Sequence, residues 1–289
     1  MSWGVIEVEG WSGNQPYGAV LDEMVEAGYT GTELGPYGFL PTDAATLIRE
    51  LGSRGLELVA AFVPLPLARP AAHEAGLREA IKVIDLLAQS GARIVVLADE
   101  MSERRMAVAG RAQKSDGLAN EQWREAVGLL TCAAQAAGER GLRAAFHHHA
   151  GTYVETPGEV DRLLQLTDPN LLGLCFDTGH YYLGGGDPAE FVKKHCGRIW
   201  HLHWKDVDRL VLDQVKRERV GYLDAVRRGV FCELGKGAID FRAVMGALDG
   251  GGYHGWSIFE QDVDPSQPGL NPIESAARSR KYLKDVLGI

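Results

Sequence analysis

Short apolar or β-branched runs alternate along the chain with longer stretches of helical periodicity. The runs are Val5 to Val8, Gly31 to Leu34, Leu58 to Val63, Arg93 to Ala98, Arg143 to His148, Leu172 to Phe176, Ile199 to Trp204 and Trp256 to Phe259. Between and after them lie amphipathic segments at Tyr17 to Ala27, Thr42 to Arg54, Glu79 to Gln89, Glu121 to Arg140, Pro157 to Leu166, Asp187 to His195, Phe241 to Leu248 and Ile273 to Leu287. A 3.6-residue apolar period marks a helix with one buried face, and brief apolar runs bounded by turn residues mark buried parallel strands. Strand followed by helix, eight times over, predicts a (β/α)8 TIM barrel, read as a single domain over residues 1–289. A doubly wound sheet is the competing arrangement. Against it, no Gly-rich dinucleotide fingerprint follows the first run, and polar residues crowd many strand ends instead of one switch point.

Two connections are much longer than the usual few residues: Asp99 to Asn120, and Val207 to Ile239. The second, at about 207–239, carries Lys216, Arg217, Arg219, Arg227 and Arg228 interleaved with Val220, Tyr222, Leu223 and Val226. Such a charge run is ordinarily a solvated helix face. The functional reading is a lid over the barrel mouth, with a subunit contact and hence a homo-oligomer as a further option.

Composition narrows the function classes. With 45% hydrophobic and 24% charged residues, the 289-residue chain is ordinary globular protein. A net charge of −9 gives no general attraction for polyanions, so nucleic acid is not an expected partner. No apolar run approaches bilayer length and no basic leader precedes the first run, so a soluble, cytoplasmic protein without membrane association is expected. Cys132, Cys175, Cys196 and Cys232 are widely spaced without a CxxC pair, which suits reduced thiols.

In a closed barrel the C-terminal strand ends converge on one pocket. Those ends carry Glu33, His147-His148-His149, Asp177, His203 and Glu260. A lone buried His is usually a hydrogen-bonded core residue, and a carboxylate ending a strand often caps the next helix. Several together are a different matter, because buried carboxylates without a compensating cation cost several kcal/mol. A divalent metal explains the set. Oxygen and imidazole donors without thiolate point to Mn²⁺, Co²⁺, Mg²⁺, Fe²⁺ or Zn²⁺. Strand alternation places His201 and His203 on one side with Lys205 a step nearer the mouth, which suits His203 as ligand and Lys205 as cation for a substrate oxygen. In Asp177-Thr178-Gly179-His180, Asp177 is the ligand candidate, Gly179 permits a sharp turn and His180 faces the pocket.

The segments from Phe146 to Thr156, from Cys175 to His180 with Gly184-Gly185-Gly186-Asp187-Pro188, and from His201 to Asp206 resemble the xylose-isomerase-like TIM-barrel superfamily of sugar isomerases, epimerases and dehydratases. Within it, these segments, Gly31 to Pro36 and Ala225 to Phe231 are most similar to the inosose dehydratase branch. The resemblance implies a Mn²⁺- or Co²⁺-type centre, with Asp177, His203 and Glu260 matching the ligand pattern. Many superfamily members place a Glu where His147 stands; either His147 ligates directly or Glu155 folds back to do so. Glu7 to Trp11 and Cys232 to Gly237 depart from the dehydratase pattern, which leaves the substrate open.

The expected reaction is metal-dependent dehydration of a keto-polyol such as 2-keto-myo-inositol, through a metal-stabilised enediolate. Glu155, His149, His180 and Glu260 are the candidates for proton transfer, and Glu33 and Lys205 for binding substrate hydroxyls. The same chemistry without loss of water makes a ketose or keto-inositol isomerase or epimerase the alternative. A multi-zinc apurinic endonuclease is opposed by the net charge and by His147, and a sugar-binding barrel without turnover by the density of ionisable groups.

Overall fold

A computed structural model describes residues 2–3, 15–264 and 271–289. The expected first strand, Val5 to Val8, lies outside the described residues. The strands that follow are β1 (Gly31–Glu33), β2 (Glu57–Ala60), β3 (Phe62–Leu65), β4 (Ile94–Asp99), β5 (Arg143–His147), β6 (Leu172–Asp177), β7 (Ile199–Trp204), β8 (Asp206–Val207), β9 (Phe231–Cys232) and β10 (Ser257–Phe259). β10, β7, β6, β5, β4 and β3 form one sheet in that order with parallel ladders between neighbours, and β1 pairs with β2 in parallel. β2 and β3 are two pieces of the one run expected from Leu58 to Val63, interrupted at Ala61. The chain is thus a TIM barrel. β4 and β6 are buried at every position, as strands must be when side chains fill the barrel on one face and helices cover the other.

The covering helices are α1 (Tyr17–Glu26), α2 (Ala44–Gly52), α3 (His73–Gln89), α4 (Glu103–Val108), α5 (Asn120–Gly138), α6 (Pro157–Leu166), α7 (Thr178–Leu183), α8 (Pro188–His195), α9 (Arg209–Arg217), α10 (Tyr222–Arg227), α11 (Phe241–Gly250) and α12 (Pro272–Tyr282). Their starts follow local chemistry. Thr156 accepts from the Glu159 N–H with Pro157 at the first helical position of α6, and Asp187 with Pro188 does the same for α8. α3 starts at His73, earlier than the Glu79 expected from periodicity, while its buried Ala80, Val83, Ile84 and Leu87 keep the helical period. No helix among the described residues is long and apolar enough to cross a membrane.

Among the described residues the core has two parts. A large cluster lies between sheet and helices, and a smaller one, built on Val59, Ala60, Ile94, Val96, Ala145 and Cys175, fills the barrel. That plug forms the floor of the mouth. The four cysteines are unpaired.

The segment after β7 contains two helices where one was expected. α9 and α10 are separated around Arg219, whose φ of 56° no helix accommodates. β8 and β9 pair antiparallel at its base, with Asp206 opposite Cys232 and Val207 opposite Phe231. The buried Asp206 carboxylate accepts from the N–H groups of Val207, Gly235 and Gly237 at 2.9 Å and of Ile239 at 3.3 Å. A Cβ at Gly237 would stand 2.2 Å from Asp206 Oδ1, so only glycine lets the backbone reach that carboxylate.

Candidate active site

β7 sets the geometry. Its alternation buries His201 and His203 in the barrel, and the chain beyond carries Lys205 inward as well, fully buried. Gly179 makes room for it: a Cβ there would lie 2.6 Å from Lys205 Cγ. Gly179 sits inside helix α7, so its role is this close approach and not the sharp turn expected.

Glu33, from β1, reaches across the barrel so that its Oε1 accepts from His201 Nε2 at 2.8 Å and His203 Nε2 at 3.0 Å. Burial acts to raise its pKa, but His203 and His201 outweigh that and bring it down to about 2. Glu33 was expected to meet substrate; the contact the structure gives it is with these two imidazoles, which fixes His203 so that Nδ1 faces away from Glu33. That Nδ1 lies 3.3 Å from Glu260 Oε2 and 3.9 Å from Asp177 Oδ2.

The donor atoms of Asp177, His203 and Glu260 all lie within 4.8 Å of one another. Asp177 Oδ2, His203 Nδ1 and Glu260 Oε2 are each buried without a hydrogen-bond partner. Two of the three are ion-paired with Lys205 Nζ, Glu260 Oε2 at 3.0 Å and Asp177 Oδ2 at 3.4 Å, but none has a well-directed hydrogen bond, which leaves the set able to bind a further cation. Their mixed oxygen and nitrogen chemistry fits a divalent cation. Asp177 Oδ1, by contrast, is committed to the His180 N–H at 2.7 Å, capping α7. Burial, only partly offset by Lys205, raises Asp177 to about 6, the response of a carboxylate short of positive charge.

His147 stands beside this set. Its Nδ1 is buried and unpartnered, and its ring centre is 4.9 Å from that of His203. Its donor atoms group with those of Cys175 and His203, and with those of His149 and His180, rather than with Asp177 and Glu260. His148 points the other way: it packs against Phe176 and Tyr181, and its Nε2 accepts from the Asp177 N–H at 3.3 Å.

Lys205 Nζ stands 3.0 Å from Glu260 Oε2, 3.2 Å from Asp262 Oδ2, 3.4 Å from Asp177 Oδ2 and 2.8 Å from His180 Nε2. Burial disfavours the ammonium, yet Asp177, Asp262 and Glu260 hold its pKa above the ordinary lysine value. It was expected as the cation for a substrate oxygen; the contacts the structure gives it are those of an internal counter-ion. His149 and His180 lie with ring centres 3.8 Å apart, and burial followed by Lys205 brings His149 down to about 4. His149 Nδ1 faces the Ala150 carbonyl at 2.7 Å, which makes Nδ1 the protonated nitrogen and Nε2 the basic one.

Glu155 stands apart. Its Oε1 accepts from the Gly110 N–H and its Oε2 from the Gly151 N–H, both at 2.7 Å, tying the connection after β4 to that after β5. The structure does not fold it back as a ligand, and both its oxygens are engaged with backbone.

Sequence reading passed over Asp262, Tyr222 and Asp99. Asp262 lies two positions beyond Glu260, the spacing that keeps a side chain on one face of an extended chain, so a signal was present. Tyr222 on α10 donates to Asp262 Oδ2 at 2.8 Å, a contact no local pattern reveals. Asp99 ends β4 and accepts from Tyr153 N at 2.8 Å and Leu67 N at 3.3 Å. Burial raises it to about 7 against those bonds. A cavity of about 750 Å³ opens over the set, bordered by Glu33, His149, Glu260 and Asp262 and, on the side of α4 and α10, by Met106 and Tyr222.

A barrel with carboxylate and imidazole donors at successive strand ends is an enzyme-like architecture with a candidate metal centre. The chain belongs to the xylose isomerase-like TIM barrel family, whose model matches residues 21–286. It is 35% identical over 275 residues to an inosose dehydratase of Geobacillus thermodenitrificans (strain NG80-2), covering 93% of this chain and 89% of that one. An inosose dehydratase of Erwinia tasmaniensis (strain DSM 17950 / CFBP 7177 / CIP 109463 / NCPPB 4357 / Et1/99) is 37% identical over 277 residues, covering 93% and 90%. Among solved structures, the IOLI protein with a bound zinc atom superposes with a TM-score of 0.72 at 19% identity, covering 96% of this chain and 94% of that one.

Proposed function

We propose that this protein dehydrates inosose or a closely related keto-polyol, using a divalent ion held by Asp177, His203 and Glu260 with His147 as the fourth protein donor. The observation that carries the reading is the convergence of three buried donor atoms, none with a hydrogen bond among the described residues, from β6, β7 and the end of β10. The similarity to inosose dehydratases over nearly the whole chain supports the substrate class. Mn²⁺ or Co²⁺ suits this donor set, as does the zinc of the structural neighbour. When bound, the ion supplies Lewis acidity that polarises the ketone and acidifies the neighbouring C–H.

The side chains divide the remaining work. Glu33 holds His203 in one orientation and tautomer, as a carboxylate behind a ligating imidazole does. His149 Nε2 accepts the α-proton. The imidazolium so formed, in surroundings that press its pKa to about 4, returns that proton to the departing β-hydroxyl, which leaves as water. Lys205 is a poor donor, because three carboxylates stabilise its ammonium; it keeps Glu260 and Asp262 ionised and places positive charge beside a substrate oxygen. His180 backs the His149 ring and accepts from Lys205. α9 and α10 close the mouth as a lid.

The test is product analysis with inosose and ion-loaded protein. Loss of one water with a new enone or diketone absorbance is the expected result. A product of unchanged mass, with solvent deuterium at the α-carbon, would replace dehydration by isomerisation or epimerisation.

A further inference from the structure

Asp262 and Tyr222 have no part in the chemistry just described, yet they join the α9–α10 segment to the charged groups of the mouth. Asp262 Oδ2 takes two donors at once, the Tyr222 hydroxyl at 2.8 Å and Lys205 Nζ at 3.2 Å. Its other oxygen, Oδ1, is buried with no hydrogen-bond partner among the described residues, and the residue borders the cavity. A buried carboxylate fixed through one oxygen, with the other unsatisfied, lacks a donor. Among the described residues, the groups facing it from adjoining elements are Lys205, Glu260, His149, His180 and Tyr222. Among these, Lys205 and Tyr222 are the donors already spent on Oδ2.

We infer that Asp262 Oδ1 is a hydroxyl-recognition site for one ring hydroxyl of a polyhydroxylated substrate, and that Tyr222 is the positioning residue that builds it when α10 lies over the mouth. The inference rests on the polyol reading above. Three features of α10 support the second half. Leu223 and Val226 border the same cavity as Tyr222. Arg111 donates to the Val220 carbonyl at 2.9 Å, linking the approach to α10 with the segment after β4. Arg227 Nε stands 3.4 Å from Asp264 Oδ2, so Tyr222 and Arg227 engage carboxylates two positions apart on the stretch following β10. Lid and recognition site are then one device: with α10 displaced, Asp262 loses one of the two donors that orient it, and a substrate hydroxyl on Oδ1 favours the placed lid.

The experiment uses ion-loaded protein and calorimetric binding of myo-inositol, which lacks the ketone, and of its monodeoxy analogues. Wild-type protein should lose about tenfold or more in affinity for one of the monodeoxy analogues, the scale of a hydrogen bond to a charged group. Tyr222→Phe should bind myo-inositol about tenfold more weakly, yet bind that one analogue as wild type does. With the keto-substrate, KM should rise by more than kcat falls in Tyr222→Phe. Asp262→Asn combined with Tyr222→Phe should bind no more weakly than Asp262→Asn alone. Equal affinity of wild type for every monodeoxy analogue overturns the inference without any variant, as does a Tyr222→Phe penalty that persists on all of them. Product mass from the same wild-type preparation is a separate readout: an unchanged mass would end the dehydration reading while leaving hydroxyl recognition at Asp262 to stand or fall on the binding series.

Discussion

Glu33 and His203 are 170 positions apart in sequence and meet at 3.0 Å across the barrel mouth. Because Glu33 holds Nε2, the only ring nitrogen His203 can turn toward Asp177 and Glu260 is Nδ1. Orientation behind a ligand affects the metal almost as much as the ligand does. Glu33→Gln should therefore weaken divalent-ion affinity by about 10- to 100-fold while the barrel stays folded, since an amide supports the imidazole less strongly. Titration of the apo protein with Co²⁺ checks this, and unchanged affinity would remove Glu33 from behind the ligand.

Asp177→Ala and His203→Ala should each lose bound metal and activity together, with secondary structure retained. The barrel core beneath them is apolar and does not depend on either group. Elemental analysis and circular dichroism on the same samples check this. Unfolding of either variant would mean that these residues serve the core.

Glu155→Gln should act on stability. Both carboxylate oxygens satisfy backbone N–H groups, that of Gly151 buried and that of Gly110 half-buried, and the Gln amide would set its NH₂ against one of them. Leaving such a donor unsatisfied costs about 1–3 kcal/mol. Urea denaturation should show that loss while metal content remains. A variant of wild-type stability that is catalytically dead would return Glu155 to the chemistry.

Asp99 gives a pH dependence of defined sign. Burial raises its pKa to about 7, above that of an exposed aspartate, so the folded state holds its proton after the unfolded chain has released it. Its contribution to stability is complete below about pH 4 and is lost as pH rises through about 7. Asp99→Asn does not titrate. The stability of the variant relative to wild type should therefore improve between pH 5 and pH 8, measured by denaturation at each pH. A constant difference would show that Asp99 titrates normally.

Much of this architecture was legible in the chain, for identifiable reasons. Buried parallel strands are apolar on both faces, so β4, β5, β6 and β7 stood out as short runs, and the barrel's geometry made their last residues site candidates. His203 emerged because two-residue alternation links it to His201. What escaped were features decided by contacts between distant segments. The break at Arg219 depends on backbone conformation that a basic amphipathic pattern does not encode. Glu155 stood as an alternative to His147 for the fourth ligand and as a candidate for proton transfer, because a carboxylate in a loop near three histidines is ambiguous until its backbone donors are seen. Tyr222 read as one apolar position of a helix, and only folding brings its hydroxyl to Asp262. Lys205 lay between these cases: its place past His203 was legible, but not the three carboxylates around it.

The most direct test of the central claim is the mass of the product that ion-loaded protein makes from inosose. Dehydration predicts a product lighter by one water, with an ultraviolet band from the new conjugated carbonyl, and none of it after chelation of the ion. A product of the same mass as the substrate, carrying solvent deuterium next to the carbonyl, or full turnover in metal-free protein, would contradict the account.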